Sequence, residues 1–267
     1  MSANLPPRVP DPSPIMRLTT AYWDSQAFLT ACRLRIFDAL AGEPRGAADL
    51  AGELNLDPRA AALFLNACTA LGLLEKHEGL YRNSALAGVF LVSTSPAFMG
   101  NAVRYADHLY PAWGELEQAL NTGQPVVPEA SYLGQDPERT RAFVYGMHDR
   151  ATAIGRALVG LVDLEGRKSM LDVGGGPGTY SMLLTERYPG LVSTVLELEG
   201  VAAIAREIVA SHGASERVSF VVGSYRETEF PRGNDVVLMS GMFHRETEAS
   251  CRRLIEKARD ALLPGGL

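Results

Sequence analysis

Cysteine is scarce in this chain of 267 residues: Cys32, Cys68 and Cys251 are odd in number and far apart. That excludes a disulfide framework and a zinc-ligand cluster, and the three are expected to be buried thiols. Long apolar runs are also missing. The longest, over 60–74, is interrupted by Asn66 and Thr69, well short of the roughly 18 uninterrupted residues of a membrane span. The opening MSANLPPRVPDPSP lacks the apolar core of a signal sequence and reads as a flexible arm over 1–14 on a cytoplasmic protein. Positive charge is not in excess: 25 Lys and Arg stand against 31 Asp and Glu, for a net charge of -6. The arginines are dispersed among acids, which argues against a nucleic-acid partner. What is present is an ordinary globular composition, 46% apolar and 21% charged, with chain enough for two modest domains.

The texture changes near residue 165. Before it the pattern is helical: Tyr22, Ala27, Ala31, Leu34, Phe37 and Leu40 recur at the spacing of one long amphipathic helix. Two shorter helices are expected over 46–54 and 58–71, with Asp57 as N-cap and Pro58 at the first helical position of the second. A small β-wing over 73–81, turning at His77, Glu78 and Gly79, completes a winged helix-turn-helix pattern. Its candidate recognition helix carries a single basic residue, Arg59, so the surface suits packing against protein, such as a second subunit, rather than DNA. Helix resumes over 98–120, with Pro111 expected to kink or end it. After the turn-rich NTGQPVVPEASYLGQDP, an apolar stripe of Phe143, Met147, Ala151, Ile154, Leu158 and Leu161 marks another long helix. Beyond 165, the strands SMLDV, VSTVLEL, RVSFVV and NDVVLMS alternate with helices over 179–188, 200–212 and 248–262. Such alternation predicts a parallel sheet covered by helices on both faces, an α/β fold.

LDVGGGPGTYS lies between the first of these strands and the first of these helices. Glycines there let the backbone turn sharply and approach a ligand, while the helix start offers unpaired N–H groups. A dinucleotide loop wants glycine at its first, third and sixth positions; here these are Gly174, Gly176 and Thr179, so the last is absent. Gly174, Gly176 and Gly178 form the tighter G-x-G-x-G, which suits a ligand without a pyrophosphate. Glu197, 23 residues after Gly174, ends the second strand where an acid accepts ribose hydroxyls.

Taken in order, these motifs resemble the S-adenosyl-L-methionine-dependent O-methyltransferase family that includes caffeate and acetylserotonin methyltransferases and bacterial tailoring enzymes. LDVGGGPG resembles the family's first motif, and VLELEGV its second, so Glu197 would hold the adenosyl ribose with Leu198 beside it. VVGSY would place Ser224 and Tyr225 beside the adenine, and NDVVLMSGMFHRE would put Ser240 in the cofactor set and His244 at the catalytic-base position. FVYGMHDRAT resembles the helix lining the acceptor pocket, implying Phe143, Met147 and His148 as substrate contacts. The chain departs from the family's usual Asp at Ser224, from the Lys of many plant members at Ser240, and from the usual Asp at Arg245.

The resemblance implies a class I methyltransferase Rossmann-like sheet over 165–267, a winged-helix dimerisation domain over 15–120, and between them a linker and pocket-lining helix over 121–164. It implies S-adenosyl-L-methionine as cofactor, no metal, a small aromatic acceptor and a homodimer, in which Tyr22 and Trp23 pack at the interface or reach a neighbouring active site. His244 would deprotonate the acceptor hydroxyl, a service contributing about 10²–10⁴-fold. A cofactor-retaining relative performing decarboxylation or hydroxylation, and a non-catalytic cofactor-binding or interaction protein, stay open at this point. Because ALLPGGL reads as the turn into a fifth strand of a sheet that would have seven, the chain is expected to be a truncated form of an enzyme of about 330–350 residues.

Overall fold

The computed structural model describes residues 10–267, so most of the expected arm lies outside the described residues. The chain divides into two compact units between Phe98 and Met99.

In the first unit the single helix expected through Leu40 is two, α1 (Ser13–Arg33) and α2 (Ile36–Ala39). Arg35 breaks it by adopting a left-handed backbone, φ 56°, secured by an ion pair to Asp38 at 3.0 Å. The break turns Ile36, Phe37 and Leu40 into the core, where none is more than 2% exposed. There follow β1 (Arg45–Gly46), α3 (Ala47–Glu53) and α4 (Pro58–Ala70). Asp57 caps α4 by accepting the Ala60 N–H at 2.8 Å, as its place before Pro58 predicts. The wing is β2 (Leu74–His77) and β3 (Leu80–Asn83), joined through Glu78 and Gly79, both at positive φ as a two-residue hairpin turn requires. β3 is the middle strand of a small antiparallel sheet, β1-β3-β2, and α5 (Ala85–Phe90) closes the unit. Of the cysteines, Cys68 is buried, while Cys32 and Cys251 are half-buried.

The second unit opens with α6 (Gly100–Gly114) and α7 (Leu116–Thr122), placing the unit boundary before α6 rather than near residue 120. Pro111 sits within α6, which runs three residues further. α8 (Pro137–Val159) packs on α6 at Gly146, where a Cβ would stand 2.9 Å from that of Tyr105. Asp149 of α8 accepts the Asn101 and Ala102 N–H groups at 3.0 and 3.1 Å, fixing the start of α6. The expected α8 stripe holds only in part. Phe143, Met147, Ala151 and Leu158 are half-buried, but Ile154 and Leu161 are exposed, and Val144, outside the stripe, is fully buried.

The sheet is built from β4 (Ser169–Val173), β5 (Val192–Glu197), β6 (Val218–Val222) and β7 (Val236–Leu238), in the order β6-β5-β4-β7, all parallel. Its crossovers are α9 (Thr179–Arg187) and α10 (Glu199–Ser211), and α11 (Glu248–Ala261) follows β7. Period-two alternation divides the strand residues between two cores. Val195 and Val218 pack with Val144, Met182 and Ile208, whereas Leu171, Val173 and Leu196 pack with Leu254 and Ala258 of α11. Beyond β7, Leu267 donates its N–H to Asp235 O and accepts that of Val237, both at 2.9 Å, prolonging the pairing at this edge. Among the described residues no helix is long and apolar enough to cross a membrane.

Candidate functional site

A cavity of about 1020 Å³ opens in the second unit at the carboxyl ends of the strands, where open α/β sheets bind ligands. Its floor is the turn from β4 into α9. Gly174, Gly176 and Gly178 take φ 64°, 54° and 72°, which any other residue would adopt under strain. Gly174 and Gly176 line the cavity; Gly178 does not, serving instead as the left-handed N-cap of α9.

Two carboxyl groups meet at this turn. Glu197, at the end of β5, is 9% exposed and accepts the Gly176 N–H at 2.9 Å on one oxygen and the Leu198 N–H at 2.8 Å on the other. Burial pushes its pKa up. Each oxygen keeps a lone pair, so the carboxylate can accept two further hydrogen bonds from a vicinal diol. Asp172 is one residue that sequence reasoning missed, although an acid in the otherwise apolar SMLDV is a signal. It is 1% exposed, accepts from Ser181 Oγ at 2.7 Å, and burial raises its pKa to about 6, helped by the neighbouring Glu197 charge.

Leu198, Ser224, Tyr225 and Ser240 also line the cavity. The Tyr225 ring lies 3.4 Å from where Gly174 would carry a Cβ, closing the space above the glycine turn. Desolvation, then its bond to Glu246, raises the Tyr225 pKa to about 12. His244 also lines the cavity, on the short 3-10 turn Phe243–Arg245 between β7 and α11, and its neighbour Arg245 pairs with Glu129.

The far end is aromatic. Phe143 and Met147 of α8 line it, and Tyr105 and Tyr132 join them from α6 and the 3-10 turn Glu129–Tyr132. Tyr105 meets Phe143 and Tyr132 edge-to-face, with centroids 5.5 and 5.8 Å apart. The segment carrying Tyr132 is held where backbones touch: a Cβ on Gly200 would stand 2.4 Å from Gly134 Cα.

His148 is placed elsewhere. One residue on a helix is a 100° rotation, which turns it from Met147's face toward α9. There its Nδ1 lies 2.8 Å from Thr179 Oγ1 and its ring meets His212 edge-on. Burial, then the second imidazole, drives its pKa down to about 4, so it is neutral at pH 7. Tyr105, Tyr132, Glu129 and Arg150 also line the cavity without having been singled out. Their sequence positions carry no local motif, and packing alone gathers them.

Comparison with known proteins gives the site its chemistry. Residues 16–93 match the O-methyltransferase dimerisation domain and residues 114–267 the O-methyltransferase domain. The chain is 34% identical over 265 residues to the 3-hydroxy-5-methyl-1-naphthoate 3-O-methyltransferase of Streptomyces sahachiroi, covering 98% of this chain and 77% of that protein. It is 34% identical over 264 residues to the tetracenomycin polyketide synthesis 8-O-methyl transferase TcmO of Streptomyces glaucescens, covering 96% and 76%. The structure of PigF, an S-adenosyl-L-methionine-dependent methyl transferase of a Serratia strain, solved with SAH, superposes with a TM-score of 0.84 at 26% identity, covering 96% of this chain and 79% of that one. A parallel sheet with a glycine turn and a buried acid at its carboxyl end, matched over nearly its whole length by such relatives, belongs to the S-adenosyl-L-methionine-dependent O-methyltransferase family.

Proposed function

We propose that the protein methylates a phenolic hydroxyl of a small polycyclic aromatic acceptor, with His244 as general base. The observation that carries this reading is that one cavity joins the glycine turn and Glu197 at one end to the Tyr105, Tyr132 and Phe143 cluster at the other, with His244 on its lining. The residues present fit the methyl donor. Glu197 has both oxygens aimed by backbone N–H groups and lone pairs left for a ribose diol, and the space beside Gly176 is open. Tyr225, Leu198, Ser224 and Ser240 would enclose the adenine. Of the lining arginines, Arg226 pairs with Glu246 and Arg245 with Glu129; Arg150 has no ion pair among the described residues and would hold the donor's carboxylate.

When bound, S-adenosyl-L-methionine supplies an electrophilic methyl group on a sulfonium. The chain must then hold the acceptor oxygen in line, exclude water, and remove the hydroxyl proton. Phe143, Met147 and Tyr105 would clamp the acceptor ring, and His244 would take the proton. The acceptor class is supported by the names of the naphthoate and tetracenomycin relatives together with the aromatic end of the cavity.

A homodimer through the first unit is part of the reading. It is supported by the match to the dimerisation domain and by Ile15, Met16, Leu18, Tyr22 and Trp23, each more than half exposed along α1. Calorimetry with S-adenosyl-L-methionine, followed by mass spectrometry of products from a panel of hydroxylated naphthalenes and naphthacenes, tests the function. A product heavier by one methylene is expected; donor binding without any methylated acceptor would count against the acceptor class, and no donor binding against the whole reading.

A further inference from the structure

Glu246 carries a network that the proposed chemistry leaves unused. Its Oε1 accepts hydrogen bonds from the Tyr225 hydroxyl at 2.9 Å and from Arg226 Nε and Nη2 at 2.8 and 2.6 Å, while Oε2 accepts from Ser250 Oγ at 2.6 Å. The side chain is 4% exposed, and the Arg226 guanidinium beside it holds the carboxyl down to about 2. Bonds to an ionised acceptor are the strong ones, so this cluster fixes its members more firmly than neutral contacts would.

The network has two sides. Tyr225 lies against the glycine turn, and its only freedom beyond packing, rotation and tilt of the ring, is restrained by the hydroxyl's bond to Glu246. On the other side Glu246 follows the His244 turn directly: its own N–H closes that turn on Phe243 O at 3.1 Å. Ser250, in the first turn of α11, anchors the second oxygen. One carboxylate therefore touches the cofactor-facing wall with one oxygen and the helix after the His244 turn with the other.

We propose that Glu246 is a positioning residue that locks the His244 turn to the cofactor-facing Tyr225, so that donor binding and placement of the base depend on a single buried carboxylate. This rests on the reading of Tyr225 and His244 given above. Glutamate suits the task because two oxygens are needed for four donors, and glutamine offers one.

The test compares Glu246→Leu, which keeps volume and removes every acceptor, with Glu246→Gln, which keeps one. Donor Kd is read by calorimetry and kcat with saturating donor. Glu246→Leu should weaken donor binding about tenfold and lower kcat by a further factor of about ten, as loss of charge-assisted bonds implies, and Glu246→Gln, with one acceptor oxygen and no charge, should recover only part of both. Leu and Gln variants that behave alike would overturn the proposal. Should the Leu variant not fold, single links decide: Tyr225→Phe should raise donor Kd more than it lowers kcat, and Ser250→Ala should do the reverse. Equal effects of these two on both parameters, or none, would overturn it. Donor Kd does not depend on which residue is the base, so failure of His244 as base shows in turnover of His244→Ala and leaves the binding arm of this test intact.

Discussion

The Asp172 carboxyl group fills the space that a side chain at Gly175 would need: a Cβ there would stand 2.5 Å from the carboxyl carbon. Gly175 is the one loop glycine between Gly174 and Gly176 whose φ is not positive, so its requirement is steric rather than conformational. Gly175→Ala should destabilise the protein by about 1–3 kcal/mol, as overpacking does, and weaken donor binding with it. Asp172→Ala in the same chain should relieve the clash, giving a strongly non-additive double-mutant cycle in urea unfolding. Additive costs would show that the two residues do not meet.

Asp172 also gives a pH dependence with a defined sign. Its pKa is raised from 3.8 to about 6 in the folded protein, so folding favours the protonated form. The stability it contributes is full below 3.8 and is lost as pH rises through about 6. Asp172→Asn cannot ionise. Its stability relative to the native protein should rise between these two values and level off above them, measured by urea unfolding at each pH; a difference flat across that window would contradict the assignment.

The sheet was legible because its cause is local. Apolar runs between glycine and acid-rich turns give strands, and SMLDV is β4 residue for residue. The capped start of α4 and the Glu78–Gly79 turn were legible for the same reason: Asp57 before Pro58 and a glycine at positive φ state their own geometry. The break at Arg35 was not. Nothing in the residue type signals a left-handed backbone, which is stabilised by the ion pair to Asp38 and by burial of Phe37. The resemblance of FVYGMHDRAT to a pocket-lining helix implies His148 as a substrate contact, but the 100° step per residue turns it from Met147's face onto Thr179. Tyr105 and Tyr132 reach the cavity through the close packing at Gly146 and Gly134, contacts between segments far apart in sequence.

The approach of Gly134 and Gly200 makes a second steric prediction. Gly200→Ala would place a methyl 2.4 Å from Gly134 Cα, and backbone cannot yield as a flexible side chain can. The segment over 129–135 should shift, carrying Tyr132 and the Glu129 partner of Arg245 away from the cavity. Acceptor KM is expected to rise several-fold, while stability falls by about 1–3 kcal/mol. An unchanged acceptor KM would mean that this segment does not contact the acceptor.

His244 bears the most specific chemical expectation. It lines the cavity from a 3-10 turn, and no carboxylate among the described residues is hydrogen-bonded to it, so its removal deletes a proton acceptor without leaving a buried partner unsatisfied. His244→Ala should therefore fold normally and bind the methyl donor within about twofold of the native protein, while kcat falls by about 10²–10⁴, the range for loss of a general base. A positioning role alone would cost turnover equally at every pH. Loss of a base predicts instead that the variant's residual rate climbs with pH as the acceptor phenol ionises unaided, narrowing the gap to the native enzyme toward the phenol's own pKa of about 10. A gap that stays constant over that range would remove His244 as the base and leave the proton to solvent or to another group on the cavity wall.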